Sequence, residues 1–269
     1  MSERQLHGQR TWWGVNKIME QGERNVAVPF LTSKSHLYRS EAWPGTTVFL
    51  EAEQDYPHIR ISLPDQAVSL SSAIYGGGFG RVDHLVNRYV NRHYDCSDPV
   101  NDMFSFIEEH GYPAGSTAGL MTAVKLKYAS IWEERGEQAS ILCCATAGVG
   151  NAARAGSSRT TFAAYQPGTI NIMLLIDGMM TPACMVNAVL TATEAKAAAL
   201  HDLGVKDHET GAIATGTTTD AIVLGVSGNP AYGVNHHYAG TATNMGGMIG
   251  QLVYRSVTES IVSEREDRI

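Results

Sequence analysis

Short apolar runs and turn residues alternate along the first third of the chain. Residues 46–52, 58–63 and 67–71 are rich in Val, Ile, Thr and Leu, and Tyr56-Pro57 and Pro64-Asp65 interrupt them. That pattern predicts three strands. Gly76-Gly77-Gly78-Phe79-Gly80 then marks a turn. Beyond it Leu85, Val86, Tyr89 and Val90 recur at helical spacing, which predicts a helix over 83–92. Asp98 before Pro99 signals another helix start, continued by 101–110 up to Gly111. Residues 120–129 predict a third helix.

The second half has longer elements. Residues 140–146 and 169–176 are apolar strands, and a third strand covers 220–226. Continuously apolar strands are covered on both faces. A long helix spans 181–203, with Pro182 in its first turn and Gly204 just past its end. A closing helix covers 244–263. This order predicts an α/β or α+β fold, a mixed β-sheet sandwich with packed helices in a single domain. Residues 1–64 read as a peripheral N-terminal segment that carries Trp12, Trp13, Trp43 and the first strands. Residues 65–269 read as the core.

Composition narrows the function. Hydrophobic residues make up 43% of the 269, ample for a core of this size. The net charge of −7 argues against nucleic acid, which needs clustered Lys and Arg. The polar start MSERQLHGQR lacks an apolar signal core, and no run reaches the ~18 apolar residues that span a bilayer. The four cysteines form no CxxC pair, which suits free thiols in a reducing cytoplasm. The expectation is a cytoplasmic protein with no membrane partner, and a homodimer on general grounds.

Several segments are able to carry chemistry. Gly148, Gly150 and Ala153 match the G-x-G-x-x-A fingerprint, and Asp177 ends the next strand, where a ribose-binding acid sits. A nucleotide-dependent oxidoreductase is therefore one reading. Too few residues separate Gly150 from Gly156-Ser157-Ser158 for a full crossover helix, which weakens it. The same turn presents N–H groups near Gly150 and Asn151 that suit a developing oxyanion. Glu194, on the long helix, is either solvent-facing or a desolvated acid–base group. Thr215, Thr217, Thr218 and Thr219 crowd Asp220 at a strand entry, where hydroxyls orient a water or a substrate amide. His236 and His237 are adjacent, so a strand would point them to opposite faces. With no HExxH and no Cys/His zinc spacing, no catalytic metal and no cofactor are expected, and one of the two histidines is a candidate acid near a leaving group. There is no G-x-S-x-G elbow, and Cys143 and Cys144 lie in an apolar strand. A water activated by a carboxylate is the expected nucleophile.

In order along residues 65–262 stand LSSA at 70–73, GGG at 76–78, Asn87, GLMTA at 119–123, TAGVGNA at 146–152, GTINI at 168–172, TATEAK at 191–196, ATGTTTD at 214–220 and YAGT at 238–241. Taken together they resemble the adenosylcobinamide amidohydrolase family. One departure stands out. The family reads Gly-Thr-Gly-Thr-Asp where this chain has Gly216-Thr217-Thr218-Thr219-Asp220. The resemblance implies cleavage of the amide between the aminopropanol arm and the corrin ring of adenosylcobinamide, giving adenosylcobyric acid. A corrinoid-binding protein without hydrolysis is the alternative. On this resemblance Glu194, Asp220, Thr217 and Thr219 are the expected catalytic residues. Ser72, Gly77, Gly78, Asn87, Asn151, Asn171, Lys196, His236 and His237 are expected to bind the substrate. Tyr75, Phe79, Trp12, Trp13 and Tyr238 are candidate ring contacts.

Overall fold

Strand β3 (His58–Ser71) is the longest strand and changes partner halfway along. Its first half pairs antiparallel with β2 (Thr47–Glu51), which carries β1 (Leu37–Arg39) on its far side. Its second half pairs antiparallel with β12 (Ala221–Val226). Along its opposite edge runs β4 (Gly78–Tyr89), and the ladder shifts register between Ser62 and Ala67, near the change of partner. Strand β5 (Thr117–Thr122) lies parallel to β4. From β12 the sheet continues through parallel β9 (Ile170–Asp177), antiparallel β7 (Ser140–Ala147) and β6 (Ser130–Arg135). Two short pairs stand apart: β8 (Ala152–Ala153) with β11 (Gly216–Thr217), and β10 (Met179–Met180) with β13 (Asn235–His236). The structure is a computed structural model that describes residues 28–32, 36–52, 55–95, 97–159 and 168–267.

The packing has four layers. One face of β7, β9 and β12 supplies Leu142, Cys144, Met173, Leu175 and Val223, which pack against Ile59, Ile61, Leu85, Ala118 and Leu120 of β3, β4 and β5. The sheet thus folds over on itself. The other face supplies Ile141, Cys143, Ile172 and Leu174. Two helices cover that face, α3 (Pro182–Asp202) and α4 (Asn244–Glu266). Met103, Phe106 and Ile107 of α2 (Pro99–Glu109) cover Val86 on the outside of β4. A single helical turn, α1 (Pro29–Thr32), precedes them all. Trp43 is buried in the inter-sheet layer, so this part of the N-terminal segment belongs to the core.

The expected mixed sandwich is present, with two reassignments. Residues 83–92 lie mostly in β4, and 120–129 divide between β5 and a short 3-10 turn (Leu126–Tyr128). Both strands are covered on two faces, so their apolar residues lose the period-two alternation and mimic helical spacing. Gly119 shows how close that cover is. A Cβ there would stand 2.4 Å from Met103 Cε. The helix signals were clearer. Asp98 caps α2 and Thr181 caps α3, each side chain accepting an N–H three residues on.

Two predictions follow from this packing. A Cβ on Gly246 would lie 2.1 Å from the Gly240 carbonyl oxygen, whereas one on Gly247 meets nothing nearer than 3.8 Å. Gly246→Ala is expected to cost about 2 kcal/mol or more, a fall in Tm of about 4–8 °C. Gly247→Ala should leave Tm level or raise it slightly, and thermal melts of both variants check this. The second concerns His58, which is buried and accepts a hydrogen bond from the Tyr112 hydroxyl at 2.5 Å while its Nδ1 donates to the Tyr56 carbonyl. Burial lowers its pKa. The unfolded chain therefore binds the proton more readily than the folded one. Stability is full above the ordinary imidazole value of about 6.5, falls as pH drops through it, and levels off below the folded value. Melts between pH 7.5 and about pH 5 should show a shallower loss for His58→Gln than for the natural protein.

Candidate active site

A cleft of about 320 Å³ opens at one end of the inter-sheet layer. The starts of β9 and β12 form one wall, through Thr169, Asn171, Thr219, Asp220 and Ala221. The ends of β4 and β5 form the other, through Val90, Asn91, Leu120, Met121 and Thr122. Ser72 and Ile74, in the turn after β3, close a side. The crossing of the two half-sheets is what brings these distant segments together.

Asp220 dominates the polar end. Its Oδ1 accepts from the backbone N–H of Ile170 at 3.1 Å and from the Thr217 hydroxyl. Its Oδ2 accepts from the Thr217 N–H at 3.0 Å and from the ammonium of Lys196. A carboxylate has about four lone-pair positions, so four donors fill them. The pair is largely withdrawn from water, with side-chain exposures of 8% for Lys196 and 13% for Asp220. Gly216 makes this possible. A Cβ there would sit 2.4 Å from Asp220 Oδ2 and 2.9 Å from Lys196 Nζ. The Thr219 hydroxyl donates to the Gly168 carbonyl, and the Thr169 hydroxyl donates to the Thr219 carbonyl, both at 2.7 Å. The ATGTTTD segment is thus tied to the start of β9 from both sides.

A buried polar chain lies beneath. Asn171 Nδ2 donates to Asn87 Oδ1 and to the Met121 carbonyl, each at 2.8 Å. Asn87 Nδ2 donates onward to the Thr146 hydroxyl at 2.9 Å. Asn87 and Thr146 are fully buried and Asn171 almost so. Amides this deep persist because each finds a partner. They fix the side chain of Asn171, which reaches the cleft.

The expected site residues separate into two groups. Asp220, Thr219, Asn171 and Ser72 line the cleft, with Lys196, Thr217 and Asn87 directly behind them. Asn151 packs against Gly168, where a Cβ would meet its Oδ1 at 2.4 Å, and its Nδ2 donates to the Thr218 hydroxyl at 2.7 Å. Gly77 and Gly78 are exposed in the β3–β4 turn beside Gly76, whose φ of +65° and approach to the Thr117 carbonyl demand glycine. Glu194 stands apart. It is exposed on α3, outside the cleft, because it lies two residues from Lys196 and so on nearly the opposite side of the helix. The histidine pair stands apart too. His236 bonds the Gln138 carbonyl and His237 is exposed, by β10 and β13 at the far end of β9. The length of β9 puts that end roughly 20 Å from the cleft. Of the proposed ring contacts, Trp12 and Trp13 fall outside the described residues. Tyr75, Phe79 and Tyr238 do not line the cleft, whereas Tyr94 does. Tyr94 gives no signal in the sequence, since it follows a strand whose apolar spacing mimics a helix.

The nucleotide fingerprint also takes another form. After Gly150 the chain enters β8, paired with β11, where a dinucleotide site needs a helix. Asp177 is bound by Ser227, Asn229 and Tyr232 at the opposite end of the sheet from the cleft. Cys143 and Cys144 are buried, and burial pushes both thiols up, that of Cys143 to about 12, so neither provides a thiolate near neutral pH.

A sequence model of adenosylcobinamide amidohydrolase matches residues 45–268, a span that holds every residue of the cleft. The chain belongs to this family. The adenosylcobinamide amidohydrolase of Methanosarcina mazei is 30% identical over 190 residues, which cover 67% of this chain and 84% of that protein. An uncharacterized protein of Methanocaldococcus jannaschii is 38% identical over 103 residues, 38% of this chain and 39% of that one. Among solved structures, a Burkholderia sp. beta-aminopeptidase is 11% identical with a TM-score of 0.42, covering 82% of this chain and 84% of its own. A Pyrococcus horikoshii OT3 protein gives 9% and 0.39, covering 87% and 81%. The family makes this chain a hydrolase of amide bonds. Its departure at Thr218 has a structural counterpart, since the hydroxyl that receives the Asn151 amide is one a glycine lacks.

Gly216→Ala forces Asp220 and Lys196 apart or pushes β11 outward. We expect amide hydrolysis to fall at least about tenfold, which is the factor for a little under 1.4 kcal/mol of barrier. The rest of the fold should remain, and steady-state kinetics beside a thermal melt check both.

Proposed function

We propose that this protein hydrolyses the amide joining the aminopropanol arm to the corrin ring of adenosylcobinamide, releasing adenosylcobyric acid and aminopropanol. The observation that carries this reading is Asp220, a carboxylate facing the cleft while an ammonium and three other donors fix it from behind. Family membership supplies the substrate class.

In the proposed reaction the scissile carbonyl lies at the polar end, beside Asp220, Thr219 and Asn171. A water attacks the carbonyl carbon and passes a proton to Asp220. The Thr217 hydroxyl turns from Oδ1 to free that lone pair, and Lys196 holds the carboxylate in position between turnovers. The C–N bond breaks, Asp220 returns its proton to the departing amine, and the acyl carbon keeps the water's oxygen. Asn171, held rigid by Asn87 and Met121, orients the substrate amide. The scheme draws on no metal or cofactor beyond the cobalt carried by the corrinoid.

Asp220→Asn keeps the size of the side chain and removes the proton acceptor. Its turnover should fall at least about 100-fold, within the range that acid–base groups contribute. Glu194→Gln, on the exposed side of α3, should stay within about twofold of the natural enzyme. Rates of adenosylcobyric acid formation measure both, and the reverse ranking would move the reaction to Glu194.

A further inference from the structure

The cleft is small for the molecule it is proposed to serve. At about 10–15 Å³ of cavity space per water, 320 Å³ has room for on the order of twenty to thirty heavy atoms. An N-(2-hydroxypropyl)propanamide arm has about nine heavy atoms by the same count, and a corrin with its peripheral amides has several times more. We infer that the cleft reads the amide arm alone and leaves the macrocycle outside its mouth, so that ring-free N-(hydroxyalkyl) carboxamides are substrates too. This rests on the amidohydrolase reading of the same cleft.

The lining follows the polarity of such an arm. Ile74, Val90 and Met121 give an apolar passage for its methylene groups. Thr219 and Asp220 give the polar end for the amide. At the mouth stand two exposed residues with donors to spare, Ser72 and Asn91. The Ser72 hydroxyl accepts from the Ile222 N–H at 3.0 Å, which leaves its own proton to give. Asn91 accepts through Oδ1 from the His93 N–H at 2.9 Å, which directs its NH₂ elsewhere. Donors at the mouth suit the carbonyl groups of a large, amide-rimmed body resting there. Specificity for the arm then comes from a few contacts inside, and the ring adds affinity from outside. Hydrolysis of a ring-free amide consumes one water, breaks the C–N bond, and gives a carboxylic acid and a hydroxyalkyl amine.

The test uses the full chain with N-(2-hydroxypropyl)propanamide, followed by calorimetry and by release of 1-amino-2-propanol, with adenosylcobinamide turnover measured in parallel. A ligand this small should bind with a Kd of about 1 mM, compete with adenosylcobinamide and be hydrolysed slowly. Ala123→Phe, which fills the cleft, should weaken binding of the mimic at least about tenfold. Val90→Thr, which keeps the shape of this half-buried side chain but puts a hydroxyl into the apolar passage, should weaken it about threefold with at most a small fall in Tm. Adenosylcobinamide turned over normally while the mimic neither binds nor competes at about ten times that concentration would overturn the inference and leave the proposed function standing. A mimic that is bound and cleaved while adenosylcobinamide is untouched would sustain the inference and remove the proposed corrinoid substrate.

Discussion

The Lys196–Asp220 ion pair holds the polar end of the cleft together. Through it and its neighbours, one carboxylate joins α3, the short strand β11, the start of β9 and the start of β12. A nearly buried charge is tolerated because every acceptor position is used. Removing either partner would leave the other charged and unpaired, which is costly for groups this far withdrawn from solvent. Gly216 and Gly168 belong to the same arrangement, each giving up a side chain so that a polar group can close in.

The two-layered sheet explains where the cleft sits. Strands β4 and β5 end where β9 and β12 begin, and the gap between the half-sheets widens there into the cleft. The interior below is closed by Asn87, Asn171 and Thr146, not by apolar side chains alone. That chain of amides gives the floor a fixed hydrogen-bonding pattern, as a substrate amide requires. A cleft with these supports holds its polar groups in fixed places.

Much of this was legible in the sequence. The helices announced themselves through Asp98, Thr181, Pro182 and Gly204, and the buried strands through unbroken apolar runs. The motifs TATEAK and ATGTTTD are the segments that bring Lys196 and Asp220 together at the cleft. TATEAK carries both Glu194 and Lys196, two residues apart and so on different sides of the helix. Helical phase carries the better signal. Ala188, Ala192, Lys196 and Ala199 share one buried face, so the lysine, not the glutamate, points inward. The histidine pair lies away from the cleft for a different reason. Adjacent histidines attract a chemical reading, but which end of the sheet they occupy depends on long-range pairing. The same is true of β4 and β5, whose double cover erased the alternation that marks a strand.

The most direct measurement is mass analysis of the corrinoid after incubation of the purified protein with adenosylcobinamide in the dark, alongside Asp220→Asn. The account predicts loss of the aminopropanol arm and gain of a carboxylate, with the variant nearly inert but folded. Adenosylcobinamide that is bound yet returned unchanged by the natural protein, or cleaved equally well by the variant, would contradict it.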